Sequence, residues 1–149
     1  DHDGPTALIL SRQNLPVLDG VDPEGVARGA YTLRAAEAPA VVLIGTGSEV
    51  AVCVEAAERL AGDGIAASVV SMPSWELFEV QDQAYRDAVL PAGVPRLSVE
   101  AAATFGWSAW ADDSVGIDRF GLSAPGAQAL AELGIEPGHV AERARALLG

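Results

Sequence analysis

Arg12 is the residue whose type and place in the sequence are best suited to binding a ligand. It follows the apolar segment TALILS (residues 6–11), which is predicted to form a strand, and it therefore stands where that strand ends. Sheets of the α/β class bind ligands at the carboxyl ends of their strands, and a guanidinium holds a phosphate or carboxylate through paired hydrogen bonds. An ordinary surface pairing with one of the many acidic residues is an equally good interpretation from the residues alone.

The glycine turn GTGSE (residues 45–49) is a second candidate, because a glycine-rich turn between a strand and a helix can cradle a phosphate. The dinucleotide pattern G-x-G-x-x-G fails at its third glycine, which here is Val50, and Ser71 stands where an acidic residue should end the next strand. Thr46 and Glu49 have the spacing of a capping box, which places a carboxylate in the first helical turn. We therefore predict that the glycine turn joins strand to helix and does not bind phosphate.

The other reactive side chains form no pattern that is typical of an active site. Cys53 is predicted to be a small buried hydrophobe, and His139 a surface or capping residue, since two isolated histidines do not make a metal site. The pairs Asp112/Asp113 and Asp82/Asp87 are predicted to lie on solvated helix or loop faces. Trp75, Trp107 and Trp110 could line a pocket, but we predict that they are core or interface anchors. The sequence thus predicts no catalytic, cofactor-binding or metal-binding residue in this chain.

The composition argues against anionic partners. The 149 residues include 21 Asp and Glu against nine Arg and no Lys, and the net charge is −12. This charge repels nucleic acids and anionic membranes, and the lack of lysine excludes a Walker phosphate loop and Schiff-base chemistry. With one cysteine and no apolar run of about 18 residues, we predict a cytoplasmic protein without a membrane segment.

Short β-branched runs alternate with longer helical segments, a pattern that predicts an α/β fold with a mostly parallel sheet. Strands are predicted at residues 6–11, 30–34 (at an edge), 40–45, 66–72, 95–101 and 115–121. Helices are predicted at residues 48–61, twice within 73–91, in PGAQALAELG (residues 125–134, with Ser123 as its cap) and in PGHVAERARALL (residues 137–148). The segment between the first two strands is rich in Pro and Gly and predicts a domain boundary.

Several stretches together resemble the C-terminal portion of transketolases. They are DGPTALILSRQNLP (residues 3–16), GTGSEV (45–50), VVSMPSWELFEVQDQAYRDAVLP (69–91), SVEAA (98–102) and IDRFGLSAPG (117–126). Each stretch is a weak signal by itself, whereas all of them in order form a specific one. The resemblance implies a three-layer α/β/α fold with a mixed, mostly parallel five-stranded sheet and one antiparallel edge strand.

The resemblance also implies a division of the chain and a role for Arg12. Residues 1–28 correspond to the tail of a pyrimidine-binding domain and a linker, and residues 29–149 to the transketolase C-terminal domain. The arginine of the family's SRQ motif contacts the phosphate of the sugar substrate, and this role carries over to Arg12. The family's enzymes are homodimers that use thiamine diphosphate and a divalent metal (Mg or Ca) to transfer a two-carbon ketol unit from a ketose phosphate to an aldose phosphate.

The family's metal–diphosphate motif, a G-D-G followed at a distance by Asn, is missing from this sequence. We therefore expect a C-terminal fragment of a transketolase that binds no cofactor and is inactive alone, with sugar phosphates and a homodimer partner belonging to the full-length enzyme. Its first strand, residues 6–11, is expected to be disordered or to pair with another molecule. The alternative hypothesis is a free-standing α/β binding or regulatory module that takes a small phosphorylated metabolite at the glycine turn.

Overall fold

Five strands form one mixed sheet in this computed structural model, which describes residues 4–149. The strands are β1 (Tyr31–Arg34), β2 (Val41–Gly45), β3 (Ala67–Ser71), β4 (Arg96–Val99) and β5 (Asp113–Val115). Their order across the sheet is β1-β3-β2-β4-β5. β1 runs antiparallel to β3, and every other neighbouring pair is parallel. The predicted mixed sheet with an antiparallel edge strand is confirmed.

Helices cover both faces of the sheet. They are α1 (Pro23–Ala27), α2 (Glu49–Gly62), α3 (Trp75–Glu79), α4 (Gln83–Val89), α5 (Gly126–Glu132) and α6 (Pro137–Leu148), with a 3-10 turn at Trp107–Ala109. α2 and α6 share one apolar cluster with the sheet, whereas α3, α4 and the 3-10 turn share the other. The two clusters lie on opposite faces, which gives the predicted three-layer α/β/α arrangement.

The central strand β2 shows why an uninterrupted apolar run folds into the middle of such a sheet. Val41 and Leu43 pack in the cluster of α2 and α6, while Val42 and Ile44 pack in the cluster of α3 and α4. All four side chains are fully buried. Successive strand residues point to opposite faces, so a strand covered by helices on both sides needs apolar residues at every position.

One predicted strand is absent, as the expectation of disorder or of an outside partner for residues 6–11 allows, and another is displaced. Residues 6–11 form no strand, and Leu8, Ile9 and Leu10 are 75–93% exposed, because no strand of the described chain lies beside them. The last strand lies at Asp113–Val115 instead of residues 115–121. It ends there because β4 ends at Val99, so the following residues bond to the loop after β4 instead, as the 2.8 Å bond from the Ile117 amide to the Ala102 carbonyl illustrates.

The predicted cap of α5 is also wrong. The residue that precedes this helix is Pro125, and no side chain caps the helix start, so Ser123 plays no such part. Both helices predicted within residues 73–91 are present. Their caps are side chains: Ser74 Oγ accepts from the Leu77 amide, and Asp82 Oδ1 accepts from the Tyr85 amide. Within residues 4–149, no helix is both long and apolar enough to cross a bilayer.

Candidate functional site

The glycine turn is built for close packing between β2 and α2. A Cβ atom on Gly45 would lie only 2.8 Å from the Val50 Cα and 3.1 Å from the Cys53 sulfur, so only glycine lets the helix approach this strand. Gly47 has a φ of +55°, a left-handed conformation that side chains disfavour, and no atom lies within 4 Å of the position of its missing Cβ. Packing explains the glycine at position 45 and backbone conformation the glycine at position 47, so neither requires a ligand.

Glu49 places a buried carboxylate at the start of α2, where the glycine turn ends. α2 begins at Glu49 with Ser48 as its cap residue, and no side chain caps the helix. The predicted capping box of Thr46 and Glu49 is therefore wrong, because Glu49 is the first helical residue and not the third. Ser48 Oγ donates a 2.6 Å hydrogen bond to Glu49 Oε1, and Glu49 is buried. The protein's own carboxylate thus lies at the positive end of the α2 dipole, where it disfavours a phosphate.

Cys53 lies under the same turn and is a buried hydrophobe, as predicted. Its side chain is fully buried in the cluster of α2 and α6. Burial, together with the nearby charge of Glu49, raises the pKa of the Cys53 thiol far above its ordinary value. A thiol with a raised pKa holds no thiolate near neutral pH, so Cys53 is not placed to act as a nucleophile.

Arg12 lies in the exposed segment that precedes α1. Its side chain is exposed, and the segment around it, residues 4–17, carries no helix or strand. No ion pair or side-chain hydrogen bond within residues 4–149 involves Arg12. Its guanidinium therefore has no partner among the described residues, and its sequence neighbours, Ser11 and Gln13, are uncharged.

A cluster of aromatic side chains beyond the carboxyl end of β4 was not anticipated as a unit. Trp107 is 1% exposed and lies edge-on to Trp75, with 5.0 Å between ring centroids and 80° between the planes. Its indole Nε1 donates a 2.7 Å hydrogen bond to Glu100 Oε2. Gly106, with a φ of +91°, brings the chain onto the Trp75 ring. The prediction that the tryptophans are core anchors is confirmed for Trp107, and Trp75 and Trp110 pack beside it half-buried.

A carboxylate holds together the two loops at this end of the sheet. Asp118 accepts hydrogen bonds from the amide and hydroxyl of Thr104, at 2.9 and 2.7 Å. These bonds favour the charged form and hold the pKa of Asp118 below its ordinary value. Phe105 and Phe120, next to these loops, are 91% and 96% exposed. Two large aromatic side chains are therefore presented to solvent at the carboxyl edge.

Of the acidic residues predicted to lie on solvated faces, Asp82, Asp87 and Asp112 are exposed and Asp113 is half-buried. Asp113 pairs with Arg143 of α6, and Asp112 accepts from the Arg96 amide at 2.8 Å. Asp87 accepts a 2.6 Å bond from Gln83 on α4. His139 lies half-buried in the first turn of α6. Among residues 4–149, no three His, Cys, Asp or Glu side chains are grouped as metal ligands.

A groove of about 350 Å³ lies between β1 and the end of α4. Its lining includes Thr32, Ala36, Ser68 and Val89, and Glu37 is the single charged residue that lines it. The hydroxyl of Ser68 already accepts a 3.0 Å bond from the Ala36 amide. The groove therefore offers few polar groups that could orient a small molecule, and we assign no function to it.

Comparison with known proteins places the chain among the transketolases. The family model of the transketolase-like C-terminal domain matches residues 29–136. The plasmid-encoded transketolase of Cupriavidus necator is 52% identical over 99% of this chain, and the transketolase of Geobacillus stearothermophilus is 47% identical over 99%. The chain spans 23% of the length of each of these relatives.

Solved transketolases have the same fold in the matching region. A transketolase variant from Pichia stipitis superposes with a TM-score of 0.89 and is 42% identical over 92% of this chain. The transketolase of Leishmania mexicana gives the same TM-score, identity and coverage. In both cases the match covers 20% of the solved chain.

Proposed function

This chain belongs to the transketolase family, and we propose that it forms the C-terminal domain of an enzyme that transfers two-carbon ketol units between sugar phosphates. The observation that carries the proposal is the identity of 52% to a transketolase over nearly the whole of the chain. Relatives this similar rarely differ in fold, and the sheet described above superposes on solved transketolases. We infer that residues 29–149 form the C-terminal domain and that residues 1–28 are the tail of a pyrimidine-binding domain and a linker.

The residues of this chain do not fit the cofactor that the family uses. Within residues 4–149, no three His, Cys, Asp or Glu side chains are grouped as metal ligands. The glycine turn, residues 45–49, carries the protein's own carboxylate at Glu49. The chain also spans only 23% of its relatives' length. We therefore propose that thiamine diphosphate and its divalent metal (Mg or Ca) are held by the part of the enzyme that this chain does not span, and we derive no reaction step from the residues here.

The contribution that we propose for this chain to substrate binding is made by Arg12. A guanidinium can hold a phosphate through two parallel hydrogen bonds, and the Arg12 side chain is exposed. Structures of the Pichia stipitis transketolase include complexes with xylulose 5-phosphate and sedoheptulose 7-phosphate. By analogy, Arg12 would bind the phosphate of such a sugar in a cytoplasmic homodimer.

A chimeric enzyme tests the proposal. The matching C-terminal region of the Cupriavidus necator transketolase is replaced by this chain, and ketol transfer from xylulose 5-phosphate to an aldose phosphate is measured. We expect thiamine-diphosphate-dependent transfer by the chimera and none by the 149-residue chain alone. Transfer by the isolated chain, or an inactive chimera that is folded and dimeric, would contradict the proposal.

The role of Arg12 is tested in the same chimera by Arg12→Met, which removes the guanidinium and keeps an apolar side chain. Loss of a bidentate, charge-assisted contact should raise the KM for a phosphorylated acceptor about tenfold or more. The KM for an unphosphorylated hydroxyaldehyde should stay within a factor of two. Arg59→Met, which removes an exposed arginine on α2, is the matched control and should change neither constant.

The alternative hypothesis, a module that binds a phosphorylated metabolite at the glycine turn, gives a different result. It predicts that inorganic phosphate or a sugar phosphate raises the thermal midpoint of the isolated chain saturably, and that Gly47→Glu abolishes the rise. The buried Glu49 carboxylate at the same turn weighs against this outcome. We expect no saturable shift.

A further inference from the structure

Residues 18–28, which we term the strap, are packed onto the edge of the sheet. Leu18 lies against the apolar cluster of Tyr31, Leu33 and Val50, whereas the preceding Val17 is 99% exposed. Contact with the domain therefore begins abruptly at Leu18. The strap is the part of the linker that packs against the domain, and the segment that carries Arg12 lies just before it.

Arg34 of β1 binds the strap backbone through its guanidinium. Its Nη1 donates hydrogen bonds to the carbonyl oxygen of Asp19 at 2.7 Å and to that of Leu33 at 3.2 Å. Gly20 turns the chain with a φ of +80°, and a Cβ there would lie 2.9 Å from the Arg34 Nη1. The guanidinium thus sits directly against the turn and ties the strap backbone to the edge strand.

α1 fixes the other end of the strap. Asp22 Oδ1 accepts a 3.0 Å bond from the Glu24 amide at the helix start. A Cβ on Gly25 would lie 2.4 Å from the Tyr31 Cβ, so α1 lies in direct contact with β1. The strap is therefore held at Leu18, at the turn beside Arg34 and at α1, so its backbone follows one defined path along the sheet edge.

We propose that Arg34 is a positioning residue for Arg12. Only residues 13–17 separate Arg12 from the first strap residue, and a chain of this length spans at most about 20 Å. By fixing the point from which these residues depart, the contact of Arg34 with Asp19 restricts where the Arg12 guanidinium can meet a sugar phosphate. This inference rests on the substrate-binding role proposed above for Arg12.

The strap contact is tested first in the 149-residue chain by amide hydrogen exchange. The amides of Val26 and Arg28 donate to backbone carbonyls within α1 and so report whether the strap stays docked. Arg34→Met should accelerate their exchange about tenfold, because the charge-assisted bond that joins Arg34 to the Asp19 carbonyl is lost. Arg34→Lys keeps a charged donor, so its exchange rates should lie between those of the unmodified chain and those of Arg34→Met.

Arg145→Met is the control, because it removes another arginine that donates hydrogen bonds, in this case to the Asp63 carboxylate, between α2 and α6 and far from the strap. It should leave the Val26 and Arg28 amides unchanged. Unchanged exchange in Arg34→Met would overturn the strap contact itself, independently of any measurement on an enzyme.

The positioning role is tested in the chimeric enzyme. Arg34→Met should raise the KM for a phosphorylated acceptor about threefold to tenfold, with kcat and the KM for an unphosphorylated hydroxyaldehyde within a factor of two, and Arg34→Lys should restore part of the loss. Equal changes for both acceptors, or none, would overturn the positioning role. If Arg12→Met fails to change the KM for the phosphorylated acceptor, the proposed role of Arg12 fails, and the positioning role fails with it. The exchange experiment still decides the strap contact in that case.

Discussion

The indole Nε1 of Trp107 donates a 2.7 Å hydrogen bond to Glu100 Oε2, across the end of strand β4. Trp107 is 1% exposed, so removing this acceptor leaves a buried N–H donor without its protein partner. We expect Glu100→Ala to lower the free energy of unfolding by about 1–3 kcal/mol, the cost of a buried donor without a partner. Urea denaturation followed by far-UV circular dichroism measures the change.

Two further variants separate this contact from the effect of removing a charge. Glu100→Gln keeps an oxygen acceptor and should cost less than Glu100→Ala. Glu58→Ala removes an exposed carboxylate from α2 and should change stability by about 0.5 kcal/mol or less. Equal losses in Glu100→Ala and Glu58→Ala would show that the hydrogen bond to Trp107 contributes nothing measurable.

A methyl group should lower the free energy of unfolding far more at Gly45 than at Gly62. Gly45 ends β2 just before α2, and Gly62 is the last residue of α2. At Gly45 the new Cβ would lie 2.8 Å from the backbone of Val50, which cannot yield without moving the helix. We expect Gly45→Ala to cost about 1–3 kcal/mol. Gly62→Ala meets no atom within 4 Å and should stabilise the helix by up to about 1 kcal/mol. Urea titrations of both variants with similar midpoints would contradict this explanation of the glycine turn.

The sequence was sufficient to predict the sheet and its central elements. β2 and α2 follow from local pattern alone, because an unbroken apolar run and an amphipathic segment each meet their own requirement for burial. β5 was displaced in the prediction because its observed residues Asp113 and Ser114 are polar. Their side chains bond to Arg143 and Ser98, partners that only the tertiary structure brings near.

The candidate site was predictable to a smaller degree. The structural character of the glycine turn could be inferred from its missing third glycine, but the burial of Glu49 could not. The docking of the strap could not be predicted either, because the residue types at positions 18–20 do not indicate that Arg34 bonds to their backbone. Contacts between a side chain and a distant carbonyl leave no periodic pattern in a sequence, and for this reason they were missed.

Stability should fall in acid as the contact between Asp118 and Thr104 is lost. The pKa of Asp118 is held below its ordinary value of 3.8 by the hydrogen bonds from Thr104. A carboxyl group whose pKa is lower when folded stabilises the fold above its unfolded pKa and ceases to do so as the pH falls through the folded pKa. Carbon-13 NMR titration should therefore give a midpoint below 3.8 for Asp118.

Thr104→Val provides the matched variant for this titration. It removes the hydroxyl donor and keeps the shape of the side chain, so the Asp118 midpoint should move up towards its ordinary value. The amide bond from residue 104 remains, and the midpoint should therefore not return completely. An Asp118 midpoint that is the same in both proteins would show that the hydroxyl contact does not form in solution.

Cys53 should be unreactive as long as the domain is folded. Burial and the charge of Glu49 raise the pKa of its thiol, so the reactive thiolate is scarce, and the sulfur lies out of reach of reagents. We expect a disulfide reagent at pH 8 to label the chain only at the rate of unfolding, and rapidly in concentrated urea. Rapid stoichiometric labelling of the native chain would mean that α2 separates readily from the sheet.

Trypsin should cut the segment that precedes the strap before it cuts the strap itself. Trypsin cleaves after Lys and Arg, and because the chain has no lysine, Arg12 is the single candidate site before Arg28. Arg12 is exposed and carries no regular structure around it, whereas Arg28 ends α1 within the strap. Brief digestion followed by mass spectrometry should show the new N-terminus at Gln13 before any cut after Arg28, whether or not the exposed Arg119 is also cut. If cleavage after Arg28 comes first, the strap is not docked in solution, and the path that we describe for residues 18–28 is wrong.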